Sequence, residues 1–287
     1  MKYTACLREG EALLRKAGCP EAEADARELL LFAADLSLPE YGTRLFEEVP
    51  AETERRYNKL LLERAARKPL AYITERAPFY GRYFFVSPEV LIPGYDTETL
   101  IEEALSHLKS GFRVLDLCTG SGCIPVTLCL EGPSGCAYDA SDISPGALCV
   151  AAKNAEKYGA GVNFIFSNLF AAIDGFYDII TANPPYVESD EIPGLMEEVS
   201  CYEPRLALDG GPDGLAFYRA ISGEAGRHLV PGGRLILEIG FRQAEAVAAI
   251  LKADGYEDVR VLRDLAGRDR VLSAVFGQVF SGRKHDG

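Results

Sequence analysis

The sequence predicts an α/β domain preceded by a small all-helical domain, and three observations support this. Beyond residue 96, strand-like apolar runs alternate with helical stretches, which is typical of a parallel sheet covered by helices. In the first 70 residues, apolar side chains recur at helical intervals. Between these two regions, prolines and glycines interrupt the chain. With 287 residues, the chain is long enough for both domains.

Residues 1–75 are predicted to form the helical domain. Its two apolar stripes are formed by Ala22, Ala26, Leu29, Leu30 and Ala33, and by Tyr57, Leu60, Leu61 and Ala65. Each stripe lines one face of a helix and predicts a shared core. Because this region differs in composition from the rest, we expect it to dock a substrate. The alternative is that its helices only cap the second domain.

Residues 76–95 are predicted to form a hairpin linker, with RYFFV and EVLI as its β-type runs between turn residues. Residues 96–280 form the predicted α/β domain, and residues 281–287 are an expected frayed tail. The domain contains seven predicted strands: RVLDL, CAYDA, NFIFS, YDIITAN, RLILEIG, DVRVL and RVLSAVF. Their alternation with helices predicts a parallel sheet.

Composition limits the possible partners and compartments. A hydrophobic content of 48% with 25% charged residues excludes a disordered chain. The net charge of −13 disfavours binding to a phosphate backbone. No apolar run is long enough to span a membrane, and the charged N-terminus does not resemble a signal peptide. We therefore expect a cytoplasmic protein that binds neither membranes nor nucleic acid.

The cysteines are not spaced like metal ligands. No CxxC pair occurs, and no histidine lies at a matching distance, so no metal site is predicted. Five of the eight cysteines lie inside or beside apolar runs: Cys118, Cys123, Cys129, Cys136 and Cys149. We expect them to be buried free thiols.

The first candidate site is a glycine turn that follows the predicted strand RVLDL and precedes a helix beginning near Cys123. It consists of Cys118, Thr119, Gly120, Ser121 and Gly122. Glycines allow the backbone to approach a ligand closely, and the helix that follows offers free N–H groups. A nucleotide-like cofactor would fit here. A tight connection between strand and helix, without any ligand, would have the same pattern.

Asp142 strengthens the cofactor interpretation, because an acidic side chain about 20 residues after such a turn can accept both ribose hydroxyls. Ser144 and Pro145 then predict a helix N-terminus, which places Asp142 at the carboxyl edge of the sheet, where ligands bind. Asn168 and Leu169 follow the third strand and could border an adenine ring. Ordinary loop and core residues remain the alternative for these positions.

The most informative motif is Asn183-Pro184-Pro185-Tyr186, at the end of the fourth strand. The two prolines restrict the backbone, so the Asn183 side chain and the Pro184 carbonyl are held in place. Together they can accept both hydrogens of a planar NH2 group, and Tyr186 offers a flat surface beside it. The motif thus selects a nitrogen that carries two hydrogens.

Such a site can activate an amide nitrogen, which is a poor nucleophile because its lone pair is delocalised into the carbonyl. Two acceptors that pull on the N–H bonds localise the lone pair. They also stabilise positive charge that grows on nitrogen during attack on a methyl sulfonium. No strong general base is needed first, since the proton can leave after nitrogen becomes cationic. A polyproline segment that binds another protein is the alternative for this motif.

The sequence resembles the class I S-adenosylmethionine-dependent methyltransferases, and within them the release factor glutamine methyltransferases of the PrmC/HemK type. The resemblance covers most of the chain. It rests on RKPLAYI, FYGRYFFVSPEVLIPGYDTETLIEEAL, VLDLCTGSGCI, DISPGALCVAAKNAE, NPPYV, YEPRLALDGGPDGL and LAGRDRV. It implies a Rossmann-like domain of seven strands, with S-adenosylmethionine as cofactor and S-adenosylhomocysteine as product.

The resemblance also implies a role for each motif. Residues 118–122 would wrap the methionine and ribose of the cofactor, Asp142 would bind the ribose hydroxyls, and Asn168 or Leu169 would flank the adenine. Asn183 would touch both cofactor and substrate. The family methylates the side-chain amide nitrogen of the glutamine in the Gly-Gly-Gln motif of class 1 peptide chain release factors, which supports translation termination.

With the same resemblance, Pro184, Pro185 and Tyr186 would complete the substrate site, and Asn183, Pro184 and Tyr186 would be the catalytic residues. The spacing of these residues agrees with an amide substrate but does not identify a glutamine.

The sequence departs from the family pattern at several positions. Cys118 stands where the family commonly has glycine, Gly94-Tyr95 replaces Arg-Pro, and Ala71 replaces glutamine. Asn168 replaces a residue that is often acidic. Cys118 is compatible with the turn if its φ is negative, so little effect on cofactor binding is expected. Loss of the arginine would weaken substrate binding unless Tyr95 rebuilds the contact.

Two other functions fit parts of the sequence. An adenine amino methyltransferase would use the same motif but needs a basic surface to hold phosphates. Residues 76–287 contain 29 acidic and 18 basic side chains, which argues against it. A non-catalytic protein that only grips the release factor would not require the intact cofactor and Asn-Pro-Pro-Tyr motifs.

Overall fold

The computed structural model describes residues 1–277, so the expected tail at 281–287 lies outside the described residues. The chain divides into two compact units. The first contains Met1–Arg76 together with Leu195–Tyr202, and the second contains Ala77–Gly194 and the chain from Glu203 onward. Among the described residues, no helix is both long and apolar enough to cross a bilayer.

The first unit is helical, as the apolar stripes predict. Its helices are α1 (Tyr3–Lys16), α2 (Ala22–Ala34), α3 (Leu38–Thr43), α4 (Ala51–Ala65) and α5 (Leu70–Thr74). The predicted stripes lie on α2 and α4, and they pack into one apolar cluster that also includes Leu14 of α1. Burial of these faces, rather than the propensity of any single helix, stabilises the bundle.

A segment from further along the chain also belongs to the helical unit. Glu198 lies in Leu195–Tyr202 and accepts hydrogen bonds from Arg64 and Arg67, each at 2.8 Å to Oε1. Arg64 also donates to Asp25 at 2.7 Å. Burial disfavours ionisation of Glu198, but the two arginines lower the pKa of its carboxyl to about 2. The segment is therefore attached to the bundle by a charged, partly buried network.

The second unit begins with a hairpin formed by β1 (Arg76–Phe79) and β2 (Arg82–Phe85). RYFFV thus supplies a strand, as predicted. EVLI does not, and the prediction of a strand there is wrong: residues 86–94 contain turns and extended chain, and the partner of β2 is the preceding segment RAPF. Only two residues separate β1 from β2, so this pairing closes a shorter loop than one with EVLI would.

The rest of the second unit is a seven-stranded sheet with helices, which confirms the predicted fold class. Its strands are β3 (Arg113–Leu117), β4 (Ala137–Asp142), β5 (Val162–Phe166), β6 (Tyr177–Ala182), β7 (Leu229–Glu238), β8 (Tyr256–Arg263) and β9 (Asp269–Phe276). The helices are α6 (Glu98–His107), α7 (Cys123–Glu131), α8 (Pro145–Tyr158), α10 (Arg205–Leu208), α11 (Ala216–Ala225) and α12 (Ala244–Ala253); α9 (Glu197–Ser200) belongs to the first unit.

The strand order is β5-β4-β3-β6-β7-β9-β8. The first five strands in this order are parallel, as the alternation predicts, but β9 is antiparallel to both β7 and β8, so the parallel arrangement does not extend to this edge. The chain between β8 and β9 is too short for a helical crossover, and a short connection joins antiparallel strands. Apolar side chains cover both faces of the sheet: Leu115 and Val114 of β3 lie in different clusters.

Candidate cofactor and substrate site

The sheet brings all four predicted motifs to one edge. β5, β4, β3 and β6 are parallel neighbours, so the loops that follow them emerge side by side. Leu117 pairs with Ser141 on one side and with Ala182 on the other. The glycine turn therefore lies between Asp142 and Asn183, the two residues that follow these partners.

The glycine turn leaves open space at one position and is tightly packed at another. Gly120 has a φ of +53°, and a Cβ there would meet no atom within 4 Å. Gly122 has a φ of +75° and begins α7, and a Cβ there would come within 2.9 Å of the Ala151 Cβ. Gly122 therefore permits close packing of α7 on α8, whereas Gly120 leaves the backbone accessible to a ligand.

Cys118 adopts a conformation that the sequence did not predict. Its φ is +54°, in the left-handed region, so the condition under which a Cβ was expected to be tolerated here, a negative φ, is not met. The Cβ of an L-residue clashes with its own backbone there, which costs about 1–2 kcal/mol. The position demands left-handed geometry because the chain must leave β3 and turn at once into residues 119–122. Burial also raises the pKa of the Cys118 thiol, so it stays protonated at neutral pH.

The other cysteines differ in exposure. All eight are free thiols, and Cys123 is buried as expected. Cys129 and Cys136 are half-buried, whereas Cys149 is exposed, so the prediction of burial is wrong for Cys149. It lies on the solvent side of α8, whose buried residues include Val150 and Ala151.

Asp142 is the last residue of β4 and is tied to the glycine turn. Its Oδ2 accepts a hydrogen bond from the Gly120 N–H and its Oδ1 accepts one from the Ser144 N–H, both at 2.9 Å. The Ser144 hydroxyl caps α8 by accepting from the Ala147 N–H, as the Ser-Pro pattern predicts. Burial raises the pKa of Asp142, while the two backbone N–H groups counteract this.

Three polar atoms around the turn are buried: Asp116 Oδ2, Thr119 Oγ1 and Ser141 Oγ. The Asp116 carboxyl and the Thr119 hydroxyl face each other, whereas Ser141 Oγ has no hydrogen-bond partner among residues 1–277. Asp116 is fully buried, and its other oxygen accepts from Thr181 Oγ1 at 2.7 Å. Burial raises the pKa of Asp116 to about 7. A buried polar atom without a partner is costly, so Ser141 Oγ beside an open glycine fits a site for a polar ligand such as a nucleoside.

Asn168 and Leu169 lie beside Asp142, because the Ser167 N–H donates to the Asp142 carbonyl at 3.0 Å. Leu169 has a φ of +49° and is partly buried against the main core. The Ser167 hydroxyl donates to the Leu169 carbonyl at 2.7 Å, which holds this turn. Asn168 is exposed. The loop therefore borders the same edge as the glycine turn, as the order of strands predicts.

The Asn183-Pro184-Pro185-Tyr186 motif directly follows β6. Both prolines are buried, and Tyr186 packs partly against the main core. Asn183 Nδ2 donates to the Thr97 hydroxyl at 3.4 Å. Within the described part of the chain, Asn183 Oδ1 and the Pro184 carbonyl receive no hydrogen bond. Both of the predicted acceptors are thus free to bind a substrate NH2 group.

Two glycines that the sequence analysis did not assign hold this motif from behind. A Cβ on Gly210 would lie 2.7 Å from the Tyr186 Cα, and one on Gly214 would lie 2.4 Å from the Tyr186 carbonyl oxygen. Gln243 Nε2 also donates to that carbonyl at 3.0 Å. The glycine-rich run LDGGPDG was a visible signal for such a close approach, whereas nothing in the sequence marked Gln243.

Three further residues near the site were missed: Thr97, Glu238 and Arg270. Thr97 and Glu238 face the Asn183 side chain, and Arg270 faces Glu238 and Tyr186. Arg270 binds Asp96 at 2.9 Å, which follows the departure at Gly94-Tyr95. Tyr95 itself is exposed. These residues come from a 3₁₀ turn and two distant strands, so only the fold brings them together.

Comparisons with known proteins show which families the chain resembles. The profile of the PrmC N-terminal domain matches residues 5–74, and that of the methyltransferase small domain matches residues 96–199. A release factor glutamine methyltransferase of Cereibacter sphaeroides is 44% identical over 276 residues, which cover 96% of this chain and 98% of that protein.

A release factor glutamine methyltransferase of Moorella thermoacetica is 42% identical over 273 residues, which cover 92% of this chain and 96% of that protein. Among solved structures, a methyltransferase from Pyrococcus furiosus aligns with 78% of this chain and 98% of that chain, at a TM-score of 0.53 and 19% identity. The last comparison shows a shared fold.

Replacing Cys118 with glycine is expected to stabilise the protein. The substitution removes the strain of a left-handed L-residue, and this gain exceeds the added entropy of an unfolded glycine, so the free energy of unfolding should rise by about 1 kcal/mol. Urea denaturation measures it. Cys129→Gly is the matched control, because Cys129 lies within α7 and glycine there should lower stability by about 1 kcal/mol. Equal destabilisation by both would contradict this account.

Asp142→Ala is expected to weaken cofactor binding. The variant loses the carboxylate predicted for the ribose hydroxyls and also frees the Gly120 N–H, so the Kd for S-adenosylmethionine should rise about 100-fold, the loss of two charged hydrogen bonds. Isothermal titration calorimetry measures the Kd. Asp139→Ala, on the same strand but away from this edge, should leave it unchanged. An unaltered Kd in Asp142→Ala would remove Asp142 from the site.

Proposed function

Because the chain belongs to the family of release factor glutamine methyltransferases, we propose that it methylates the side-chain amide nitrogen of the glutamine in the Gly-Gly-Gln motif of class 1 peptide chain release factors. It is a methyltransferase, and S-adenosylmethionine is its methyl donor. The observation that carries the proposed substrate is the pair of free acceptors, Asn183 Oδ1 and the Pro184 carbonyl, at the end of β6.

The cofactor would be held along the edge of the sheet. Residues 118–122 would contact its methionine and ribose through their backbone, and Asp142 would accept the ribose hydroxyls. Asn168 and Leu169 would flank the adenine, and Asn183 would face both cofactor and substrate. When bound, S-adenosylmethionine supplies an electrophilic methyl group on a positively charged sulfur.

The substrate amide would donate one hydrogen to Asn183 Oδ1 and the other to the Pro184 carbonyl, with its plane against the Tyr186 ring. Both acceptors concentrate electron density on the amide nitrogen and stabilise the positive charge that grows there as the new N–C bond forms. Pro185 and the close contacts of Gly210 and Gly214 keep the acceptors from drifting. The nitrogen then releases one proton to solvent.

Burial raises the pKa of the Tyr186 phenol, so this side chain is neutral at physiological pH. It acts as a surface for the planar amide rather than as a base.

An adenine amino group could also donate to the same two acceptors. The net charge of the domain, however, argues against a nucleic acid as the substrate. Residues 76–287 carry 29 acidic and 18 basic side chains, a net charge of −11, which repels a phosphate backbone. A protein loop offers the amide without that repulsion. Since release factors work on ribosomes, the enzyme would act in the cytoplasm on a protein partner, without direct contact to nucleic acid.

Asn183→Ala is expected to abolish methyl transfer. The variant removes one of the two acceptors, so kcat should fall at least about 100-fold, while the stability of the fold changes little because Asn183 is only partly buried. The assay uses labelled S-adenosylmethionine with purified release factor, its Gly-Gly-Gln→Gly-Gly-Ala variant and duplex DNA. Label should enter the unmodified release factor alone. Persistent activity of Asn183→Ala, or label in DNA, would refute the proposal.

We also propose that the helical unit docks the release factor outside the Gly-Gly-Gln loop. This unit exposes apolar side chains around α3: Leu38 is 57% exposed and Phe46 is 76% exposed. Large apolar side chains that are exposed in this way are candidates for contact with a protein partner. Helices that only capped the second domain would not need exposed apolar side chains such as Leu38 and Phe46.

The docking role predicts different effects on large and small substrates. The double variant Leu38→Ser, Phe46→Ser should raise the KM for intact release factor about 10-fold and leave the KM for a short Gly-Gly-Gln peptide unchanged, because the peptide lacks the part of the release factor that the helices are proposed to bind. Steady-state kinetics on both substrates tests this. Leu265→Ser, at a fully exposed leucine of the second unit, is the control.

This design keeps the chain whole, because deletion of the helices would also leave Glu198 without Arg64 and Arg67. An equal KM on intact factor for wild type and double variant would favour the capping role.

A further inference from the structure

A buried polar cluster lies directly behind the Asn183 side chain. Ala182 of β6 pairs with Leu237 of β7, so the next residues, Asn183 and Glu238, lie opposite each other at the end of the two strands. Thr97 ends the 3₁₀ turn Tyr95–Thr97 and faces both of them. Glu238 is only 3% exposed and Thr97 only 4%. Contact with solvent therefore does not explain why these two side chains are polar.

We propose that Glu238 and Thr97 are positioning residues that fix which end of the Asn183 amide faces the substrate. This inference rests on the proposed function, in which Asn183 Oδ1 accepts a hydrogen from the substrate amide.

An asparagine amide has two ends of nearly equal size and opposite hydrogen-bonding character. If Asn183 turned by 180°, its NH2 group would face the NH2 group of the substrate, and two donors would oppose each other. The backbone cannot prevent this turn, because rotation about the last side-chain bond changes no main-chain atom. Something must therefore hold the amide from behind.

Glu238 and Thr97 can do this, because both present acceptors to the Asn183 NH2 group. Asn183 Nδ2 donates to Thr97 Oγ1 at 3.4 Å, and the side chains of Asn183 and Thr97 both face the Glu238 carboxyl and lower its pKa. A threonine hydroxyl has one hydrogen, and when Thr97 directs it toward the Glu238 carboxyl, only its lone pairs are available to Asn183. An ionised carboxylate has no hydrogen to donate. Both groups can therefore accept a hydrogen bond from Nδ2, but neither can donate one to Oδ1.

Burial of the Glu238 carboxyl is energetically unfavourable, which argues that this residue has more than a structural role. Its Oε2 is buried without a hydrogen-bond partner in residues 1–277. Such an atom destabilises a fold, and an apolar or amide side chain would fill the same space at less cost. The neighbouring core contains ordinary apolar residues such as Leu237 and Ile239. An acidic residue at this register position is therefore consistent with a requirement for an acceptor-only group.

Charged and titratable groups from several elements surround Glu238. Arg270 on β9 favours its ionised form, and Asp96 on the 3₁₀ turn opposes it. Tyr186, Tyr218 and Cys123 also face it, and all three stay neutral at physiological pH because burial raises the pKa of each. The net effect of burial is to raise the pKa of Glu238 to about 7. Glu238 therefore loses its charge as pH falls through neutrality.

The test compares the kcat, the two KM values and the pH profile of Glu238→Ala, Glu238→Gln, Thr97→Val and Thr97→Ser, using release factor and S-adenosylmethionine. Glu238→Ala should lower kcat about 100-fold and Thr97→Val about 10-fold, with each KM within about threefold of wild type. Thr97→Ser keeps the hydroxyl and should restore kcat. Ser222→Ala, which removes a buried hydroxyl far along α11, is the matched control and should behave as wild type.

The pH profile separates positioning from a purely structural role. In wild type, kcat should fall as pH decreases through about 7, because protonation gives the Glu238 carboxyl a hydrogen that it can point at Asn183. Glu238→Gln cannot titrate, so its lower kcat, about 10-fold below wild type, should be flat between about pH 6 and 8. The fall in kcat at acid pH, the acid limb of the profile, should remain in Ser222→Ala.

Three outcomes would overturn the inference: a kcat within twofold of wild type in Thr97→Val, an acid limb retained in Glu238→Gln, or a loss in Glu238→Ala that lies in the KM for cofactor. If Glu238→Ala does not fold, Thr97→Val and Thr97→Ser decide the question. Failure of wild type to methylate release factor would instead refute the proposed function, so the two failures are distinguishable.

Discussion

The site depends on the close approach of one stretch of backbone to another. The carbonyl of Tyr186 lies so near Gly214, and its Cα so near Gly210, that no side chain fits between them. This contact holds the loop after β6 against the body of the domain. The two prolines limit rotation within the loop, while the glycines and Gln243 limit its translation. Preorganised acceptors are effective in catalysis because they need no rearrangement when charge develops.

Much of this arrangement was predictable from sequence, for local reasons. The seven strands are apolar runs bounded by turns, and the Ser144-Pro145 helix start has its own chemistry. Parallel neighbours necessarily bring the glycine turn, Asp142 and Asn183 to one edge. The backbone conformation of single residues was harder to predict from the sequence. The left-handed φ of Cys118 depends on how the chain must leave β3, and periodicity says nothing about that.

The residues that sequence reasoning missed are those whose roles arise from distant pairing. Thr97, Gln243 and Glu238 meet the Asn183-Pro184-Pro185-Tyr186 motif only because β6 lies beside β7 and because the 3₁₀ turn lies near both. Glu238 also sits within an apolar run, RLILEIG, where an acidic residue could equally mark the end of a strand. The ladder β7–β9, antiparallel against expectation, adds Arg270 to the same cluster. A pattern within one segment cannot reveal such contacts.

The partition of the chain has one more consequence. The polypeptide passes between the two units three times, after Arg76, after Gly194 and after Tyr202, rather than once. A single crossing would let either piece be exchanged, duplicated or lost as an independent module during evolution. Here the loop that leaves the Asn-Pro-Pro-Tyr motif continues into eight residues that belong to the other body, anchored there by Glu198. The two parts consequently cannot be separated at a single point of the chain, and a swapped bundle would have to retain arginines at the places of Arg64 and Arg67 to keep these contacts.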